Sequence, residues 1–228
     1  MKKTIYNYLE LHPPALELFH LLEHTGEIYL IGGVLREFLD HAAINELRDV
    51  DIIINIKDRA LWSTILDEYR LRSNRFGGHK LVCEGLLIDT WPIEQTWAFR
   101  EKIVQCSPDQ YVSMLPETVF LNIDGIIYDW KQEKWYDSKY KQAIATKTLD
   151  VVLARNPQIL LNIVRSFVLK QRYNMTLSYA LQKIIYEECK KFSTIDLFVE
   201  ALMSEQTRRY GKVAFSKDNL LLELNRII

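Results

Sequence analysis

Two aspartates, Asp49 and Asp51, stand two residues apart in "RDVDIII", at the mouth of an apolar, β-branched run. Residues i and i+2 of a strand point to the same side, so a strand here predicts both carboxylates on one face. Like charges at that spacing repel. They become favourable when divalent cations share their oxygens, and magnesium prefers such hard ligands while keeping positions open for substrate phosphates. A third carboxylate follows in "GLLIDTW", where Asp89 ends the apolar run Leu86, Leu87, Ile88 and is out of place in a purely structural strand. Upstream, "IYLIGGVLRE" sets Gly32 and Gly33 between a strand pattern and a helix pattern. Glycines there let a phosphate approach the backbone, and the first amides of the helix are donors at its positive end. One aspartate alone reads as a loop carboxylate or a cap, and one glycine pair as a tight turn. The order of all three acids behind that turn favours a metal and phosphate site.

These residues need elements to position them. The spacing of Leu16, Phe19 and Leu22 predicts a helix over 15–24, closed by Gly26, then a strand over 27–31. After the glycine turn comes a helix carrying Val34, Leu35, Phe38 and Leu39. "DVDIIINI" predicts the next strand and "RALWSTILDEYR" a helix. "LRSNRFGGHKLVCEGLLIDTWPI" offers three short extended segments, punctuated by Gly77, Gly78 and Gly85, which predict adjacent antiparallel strands. A helix or turn is expected around "SPDQYVSML", capped by Ser107, and a β-hairpin in "TVFLNIDGIIYDWKQEKWYD". From about residue 139 the pattern is helical. "NPQILLNIVRSFVLKQRY" puts Ile159, Leu160, Ile163, Val164, Phe167 and Val168 on one face, with Pro157 in the first turn. The expectation is an α+β head over 1–140, a mixed sheet with helices packed on it, followed by an all-helical part over 141–228.

Composition sets the class. With 228 residues and a 48% apolar share, the chain can form one large domain or two small ones. No apolar run approaches the roughly 20 residues of a membrane span, and "MKKTIYNYLELHPP" carries no signal-type apolar stretch, so a cytoplasmic protein without a membrane partner is expected. Cys83, Cys106 and Cys189 are odd in number and far apart, which predicts packing residues. The net charge of -1 hides an asymmetry: residues 1–140 hold 15 Lys+Arg against 22 Asp+Glu, residues 141–228 hold 14 against 8. An acidic front suits metal binding and a basic tail suits a polyanion such as RNA; the solubility of long helices explains the tail equally well.

The order "GGVLRE", "RDVDIII", "IDTW" resembles the head domain of the class II poly(A) polymerase and CCA-adding enzymes, within the DNA polymerase beta-like nucleotidyltransferase superfamily. "VFLNIDGIIYD" is similar to a later segment of that head, with Asn122 at its Asn, and "NPQILLNIVRSFVLKQRY" is similar to the helix that follows. The likeness covers roughly residues 20–175. It implies a polymerase beta-type head and a two-metal transfer of a nucleoside monophosphate from a nucleoside triphosphate to a hydroxyl. It implies that Asp49, Asp51 and Asp89 bind Mg2+ or Mn2+, that Gly32 and Gly33 receive the triphosphate with help from Arg36, and that Asn122 and Arg165 contact the nucleotide. The implied acceptor is an RNA end of the tRNA-like kind; a small-molecule hydroxyl or a protein side chain would use the same three acids, and a silent nucleotide- or RNA-binding relative would keep the fold. Oligomeric state stays open. The chain departs from the family at Glu37, where the family has Asp, and at Pro116, Glu117 and Thr118, where it has Arg-Arg-Asp. Asn156 and Ile159 replace the base-reading Asp and Arg. An isoleucine cannot donate to a base edge, so protein templating of C then A is not expected, and a compact relative is.

Other motifs carry weaker chemistry. "HLLEH", His20 to His24, fits a zinc hydrolase pattern with Glu94 or Glu101 as a third ligand, but surface histidines explain it better. Trp91, Trp97, Trp130 and Trp135 could stack on a base and more often fill a core. Arg75, His79 and Lys80 in "RFGGHK" could touch a triphosphate or an acceptor strand, though a solvated basic turn is the expectation. Arg165 and Arg172 on the later helix are similar cases.

Overall fold

The computed structural model describes residues 1–41, 49–74, 76–84 and 86–228, with Asp49 described by its backbone. Arg75, Gly85 and the Asp49 side chain lie outside the described residues. The chain divides into two compact units, one of residues 1–118 with 124–138, the other of 119–123 with 139–228.

The first unit opens with α1 (Lys2–Leu9) and α2 (Pro13–Thr25), whose prolines occupy first positions where a missing N–H costs nothing. β1 (Gly26–Ile31) follows at once, then α3 (Gly33–His41), β2 (Asp49–Ile56), α4 (Arg59–Tyr69), β3 (Arg70–Ser73), β4 (His79–Cys83) and β5 (Leu86–Pro92). Short helical segments, among them α5 (Trp97–Arg100) and α6 (Tyr111–Met114), lead to the hairpin of β6 (Ile127–Asp129) and β7 (Lys134–Tyr136). The strands form one sheet in the order β3-β4-β5-β2-β1-β6-β7. β2 pairs with β5 in parallel, and the other described pairings are antiparallel. The sheet is therefore mixed, as expected.

β2 is central, and Ile52, Ile53 and Ile54 are 0%, 4% and 0% exposed, so both faces are buried. On one face Ile53 and Tyr29 cluster with Ile93, Phe99, Leu115 and Ile127. The alternating residues Ile28, Leu30, Ile52 and Ile54 fill the other, and α2, α3 and α4 pack on β1, β2 and β4. Gly26 ends α2, but its backbone is extended (φ 173°) rather than left-handed. A Cβ there would stand 2.2 Å from the carbonyl oxygen of Asn55, so close pairing with β2 explains this glycine better than helix termination does. Ser107 caps as expected: its N–H and its hydroxyl donate to Gln110 Oε1, and its carbonyl accepts the Gln110 N–H.

The second unit contains α7 (Ser138–Thr146) from its second residue on, β8 (Thr148–Leu149), α8 (Ile159–Tyr173), β9 (Thr176–Leu177), α9 (Tyr179–Cys189), α10 (Ile195–Tyr210) and α11 (Lys217–Leu224). It is helical except for the short parallel pair β8 and β9 and a bridge between Leu121 and Val151. α8 begins at Ile159, so Pro157 precedes the helix rather than sitting inside its first turn. Phe167, Phe198 and Leu220 are fully buried, and α10 packs on α8 and α11. Among the described residues no helix is long and apolar enough to cross a membrane.

Because Ile52 is 0% exposed on the central strand, Ile52→Ala is expected to destabilise the protein by about 3 kcal/mol. Urea unfolding measures it, and a loss below about 1 kcal/mol would contradict the assigned core.

Candidate functional site

The parallel pairing of β2 with β5 sets Asp51 opposite Asp89. On β4, Lys80 stands opposite Asp89, and on β3 Arg72 stands opposite Lys80. On the other side Asp51 faces Ile31 of β1. Residues opposite one another in a sheet project to the same face, so one line across it carries two carboxylates followed by two cations. Alternation along β2 puts this line on the face that Tyr29 and Ile53 occupy further along. Asp49 stands two residues ahead of Asp51 on β2, opposite Leu87.

Gly32 closes β1 against this line. Its φ is +80°, a region that favours glycine, and a Cβ there would lie 2.4 Å from Asp51 Oδ2. The turn therefore passes directly over the Asp51 carboxylate and hands the chain to α3, which Val34 and Leu35 anchor in the core. Gly33 is exposed at the helix start, and the space where its Cβ would stand meets only Arg36 Nη2, at 3.9 Å. Arg36 is 12% exposed and donates to Asp124 Oδ1 at 2.5 Å, so it is not a solvated surface residue. Its Nε is buried without a hydrogen-bond partner among the described residues.

Lys80 departs from the expected solvated turn. It lies within β4, and its Nζ donates to Asp89 Oδ2 at 2.8 Å with side chains 15% and 24% exposed. His79 contacts Ser73 Oγ through Nδ1 at 2.9 Å and meets the Trp62 ring edge-on. Burial pushes the His79 pKa below its ordinary 6.5, and the Arg70 charge adds to the shift. Trp91 packs on the loop: a Cβ on Gly78 would stand 2.1 Å from its Nε1. Trp130 is 2% exposed, packs on Phe19 and donates to Glu23, and Trp135 stacks on Phe38.

Asn122, Arg165, Asn156 and Ile159 belong to the second unit. Asn122 Oδ1 accepts the N–H groups of Ile123 and Asp150, and its Nδ2 donates to the Thr148 carbonyl. That amide brackets a loop. Asn156 Oδ1 accepts Gln158 N and Asn162 Nδ2 just before α8, and Arg165 is half-buried on α8.

Asp51 and Asp89 abreast on neighbouring strands are a donor set of hard oxygens that fits Mg2+ or Mn2+, with Asp49 placed by its backbone two residues away. Among the described residues no three His, Cys, Asp or Glu side chains gather closely enough to hold a metal, the Asp49 side chain not being among them. "HLLEH" does not assemble one either. His20 and His24 are exposed, and Glu23 accepts from Tyr6 Oη and Trp130 Nε1.

Gly32→Ala is expected to cost about 1–2 kcal/mol more stability than Gly33→Ala, because only the first adds a Cβ at positive φ against Asp51. Equal losses in urea unfolding would contradict the close approach. His79 predicts a pH effect. Its folded pKa is depressed, so below 6.5 the unfolded chain takes up a proton that the folded chain resists, and stability present above 6.5 is lost as pH falls. The urea midpoint should drop more between pH 7.5 and 5.5 in the wild type than in His79→Asn; parallel curves would contradict this.

No protein-family model matches the sequence, and no curated protein matches it. Solved structures do. A CCA-adding enzyme in complex with CTP is similar with a TM-score of 0.63 at 15% identity, over 93% of this chain and 51% of that one. A tRNA nucleotidyltransferase complexed with a primer tRNA and an incoming ATP analog is similar at 0.58 and 16%, over 88% and 57%. The Thermotoga maritima CCA-adding enzyme complexed with tRNA is similar at 0.59 and 15%, over 93% and 50%. The chain thus spans about half the length of the solved structures it matches. At these identities the likeness is one of fold, and the chain has the α+β fold of the CCA-adding and tRNA nucleotidyltransferase structures that its motif order resembles.

Proposed function

We propose that this chain is a nucleotidyltransferase, which moves a nucleoside monophosphate from a nucleoside triphosphate to an acceptor hydroxyl, and that the acceptor is the 3′ end of an RNA in the cytoplasm. The observation that carries this reading is the in-register pair Asp51 and Asp89 under the Gly32 turn. That arrangement stands in a fold shared with enzymes solved in complex with CTP and tRNA.

In this reading Asp49, Asp51 and Asp89 hold Mg2+ or Mn2+. When bound, such cations activate an attacking hydroxyl and neutralise a leaving pyrophosphate. The chain's own residues do the positioning. The Gly32 turn and the first amides of α3 receive the triphosphate, because the turn has no side chain to block it and the first N–H groups of a helix have no partner within it. Arg36, on the first turn of α3 and paired with Asp124, lies beside that cradle and would help to shape it. The acceptor oxygen bonds to the α-phosphorus, the bond from that phosphorus to the pyrophosphate breaks, and the hydroxyl proton leaves to solvent. Little covalent work falls to the protein, so placement and charge supply most of the acceleration.

The first unit would carry the chemistry and the second the acceptor. Residues 141–228, with 14 Lys+Arg against 8 Asp+Glu, suit a polyanion. Arg165 would contact the nucleotide from α8, and Asn122 would act through the loop it brackets. With Asn156 spent on bracing α8 and Ile159 unable to donate, the base would not be selected in the CCA-adding manner.

Incubation with each of the four α-labelled nucleoside triphosphates, with Mg2+ or Mn2+, tests the proposal across total RNA, protein and small-molecule fractions. Label is expected in RNA, and Asp51→Asn is expected to lower it by at least about a hundredfold. Label in protein or small molecules would keep the chemistry and overturn the RNA acceptor. No label from the folded chain in any fraction would overturn the proposal.

A further inference from the structure

We propose that Lys80 is a resident counter-ion of the candidate site, which a divalent cation must displace from Asp89, so that the site takes up metal together with nucleotide rather than as the bare ion. The inference rests on the reading of Asp51 and Asp89 as metal ligands.

Lys80 is placed by register. Cys83 pairs with Leu86 across the turn, and counting back along the hairpin brings Lys80 opposite Asp89. Both residues are on strands, so their backbones are fixed and only side chains can rearrange. The Lys80 ammonium is largely withdrawn from water and lies 2.8 Å from Asp89 Oδ2. A lysine seeking only solvation would keep its head in water, as long cationic side chains usually do. Here the neighbouring residue across β3 is Arg72, a like charge, while the carboxylates lie on the other side. The ammonium thus follows the negative potential of Asp89 and Asp51 along the same line of the sheet.

This has a consequence for a cation. A divalent ion meeting Asp89 and Asp51 encounters a positive charge already bonded to one of them. Displacing the ammonium from Asp89 leaves it needing another anionic partner. The phosphates of a nucleotide on the Gly32 turn supply one within the same site, whereas a bare aqueous ion brings none. Lys80 also keeps two adjacent carboxylates from facing each other uncompensated when no cation is present. Its role is that of a positioning residue, since it acts through Asp89.

The test is titration of the whole chain with Mn2+ alone, without nucleotide, following the free ion by electron paramagnetic resonance. Lys80→Met keeps the length and removes the charge. It is expected to bind Mn2+ about tenfold more tightly than the wild type, the effect of removing one unit charge some ångströms from a divalent ion near water. Lys80→Arg is expected to bind as the wild type does, and Asp51→Asn more weakly. A gain in affinity is a result that simple structural damage does not produce; should Lys80→Met fail to fold, Lys80→Gln carries the same expectation. Equal or weaker binding by the neutral variants, with Asp51→Asn still weakened, would overturn the role of Lys80 and leave the metal reading standing. No Mn2+ binding by wild type or neutral variants would overturn both.

Discussion

Like charges held abreast on neighbouring strands are unfavourable, and the first unit is organised around keeping Asp51 and Asp89 in that position. The backbone enforces it. β2 is sealed on both faces by Ile52, Ile53 and Ile54, so the strand cannot slip by one residue without turning its apolar set outward. The parallel pairing with β5 fixes Asp89 opposite Asp51, and the Gly32 turn lies over the Asp51 carboxylate with no room for a side chain.

The rest of the unit supports this point at increasing distance. α3 is anchored by Val34 and Leu35, which aims its first amides past the glycine turn. The cluster of Tyr29, Ile53, Phe99 and Leu115 closes the same face of the sheet behind the acids. On α2, Glu23 gathers Tyr6 and Trp130, and burial with that carboxylate pushes the Tyr6 phenol up to about 12. In the second unit buried polar groups do comparable work: Gln206, 0% exposed, accepts from Ala214 and Phe215 and donates to the Phe215 carbonyl, fixing the approach to α11.

The features legible in the sequence were those with a local signature. An Asp-x-Asp before a β-branched run announces a strand and its charged end together, and glycines between a strand and a helix announce a turn that a bulkier residue could not make. Lys80 lacked such a signature. Its neighbours Gly77, Gly78 and His79 read as a turn, and its partner becomes visible only through the pairing of β4 with β5. Asp124 was hidden for a different reason, since it meets Arg36 across 88 residues and no local pattern joins them. Gly26 closes α2 as its position in the sequence suggests, while the approach of Asn55 that excludes a side chain there is a tertiary fact with no local pattern. Residues 119–123 lie in the sequence between parts of the first unit and pack with the second, which composition does not reveal.

On the proposed function, Asp51 and Asp89 share divalent cations under a glycine turn that holds phosphates. Crystals of the chain grown with Mn2+ and a non-hydrolysable nucleoside triphosphate, measured at the manganese absorption edge, test it most directly. The account predicts anomalous density against the Asp51 and Asp89 carboxylates, with the triphosphate on Gly32, Gly33 and the start of α3. Manganese or triphosphate bound elsewhere, with both carboxylates uncoordinated, would contradict it.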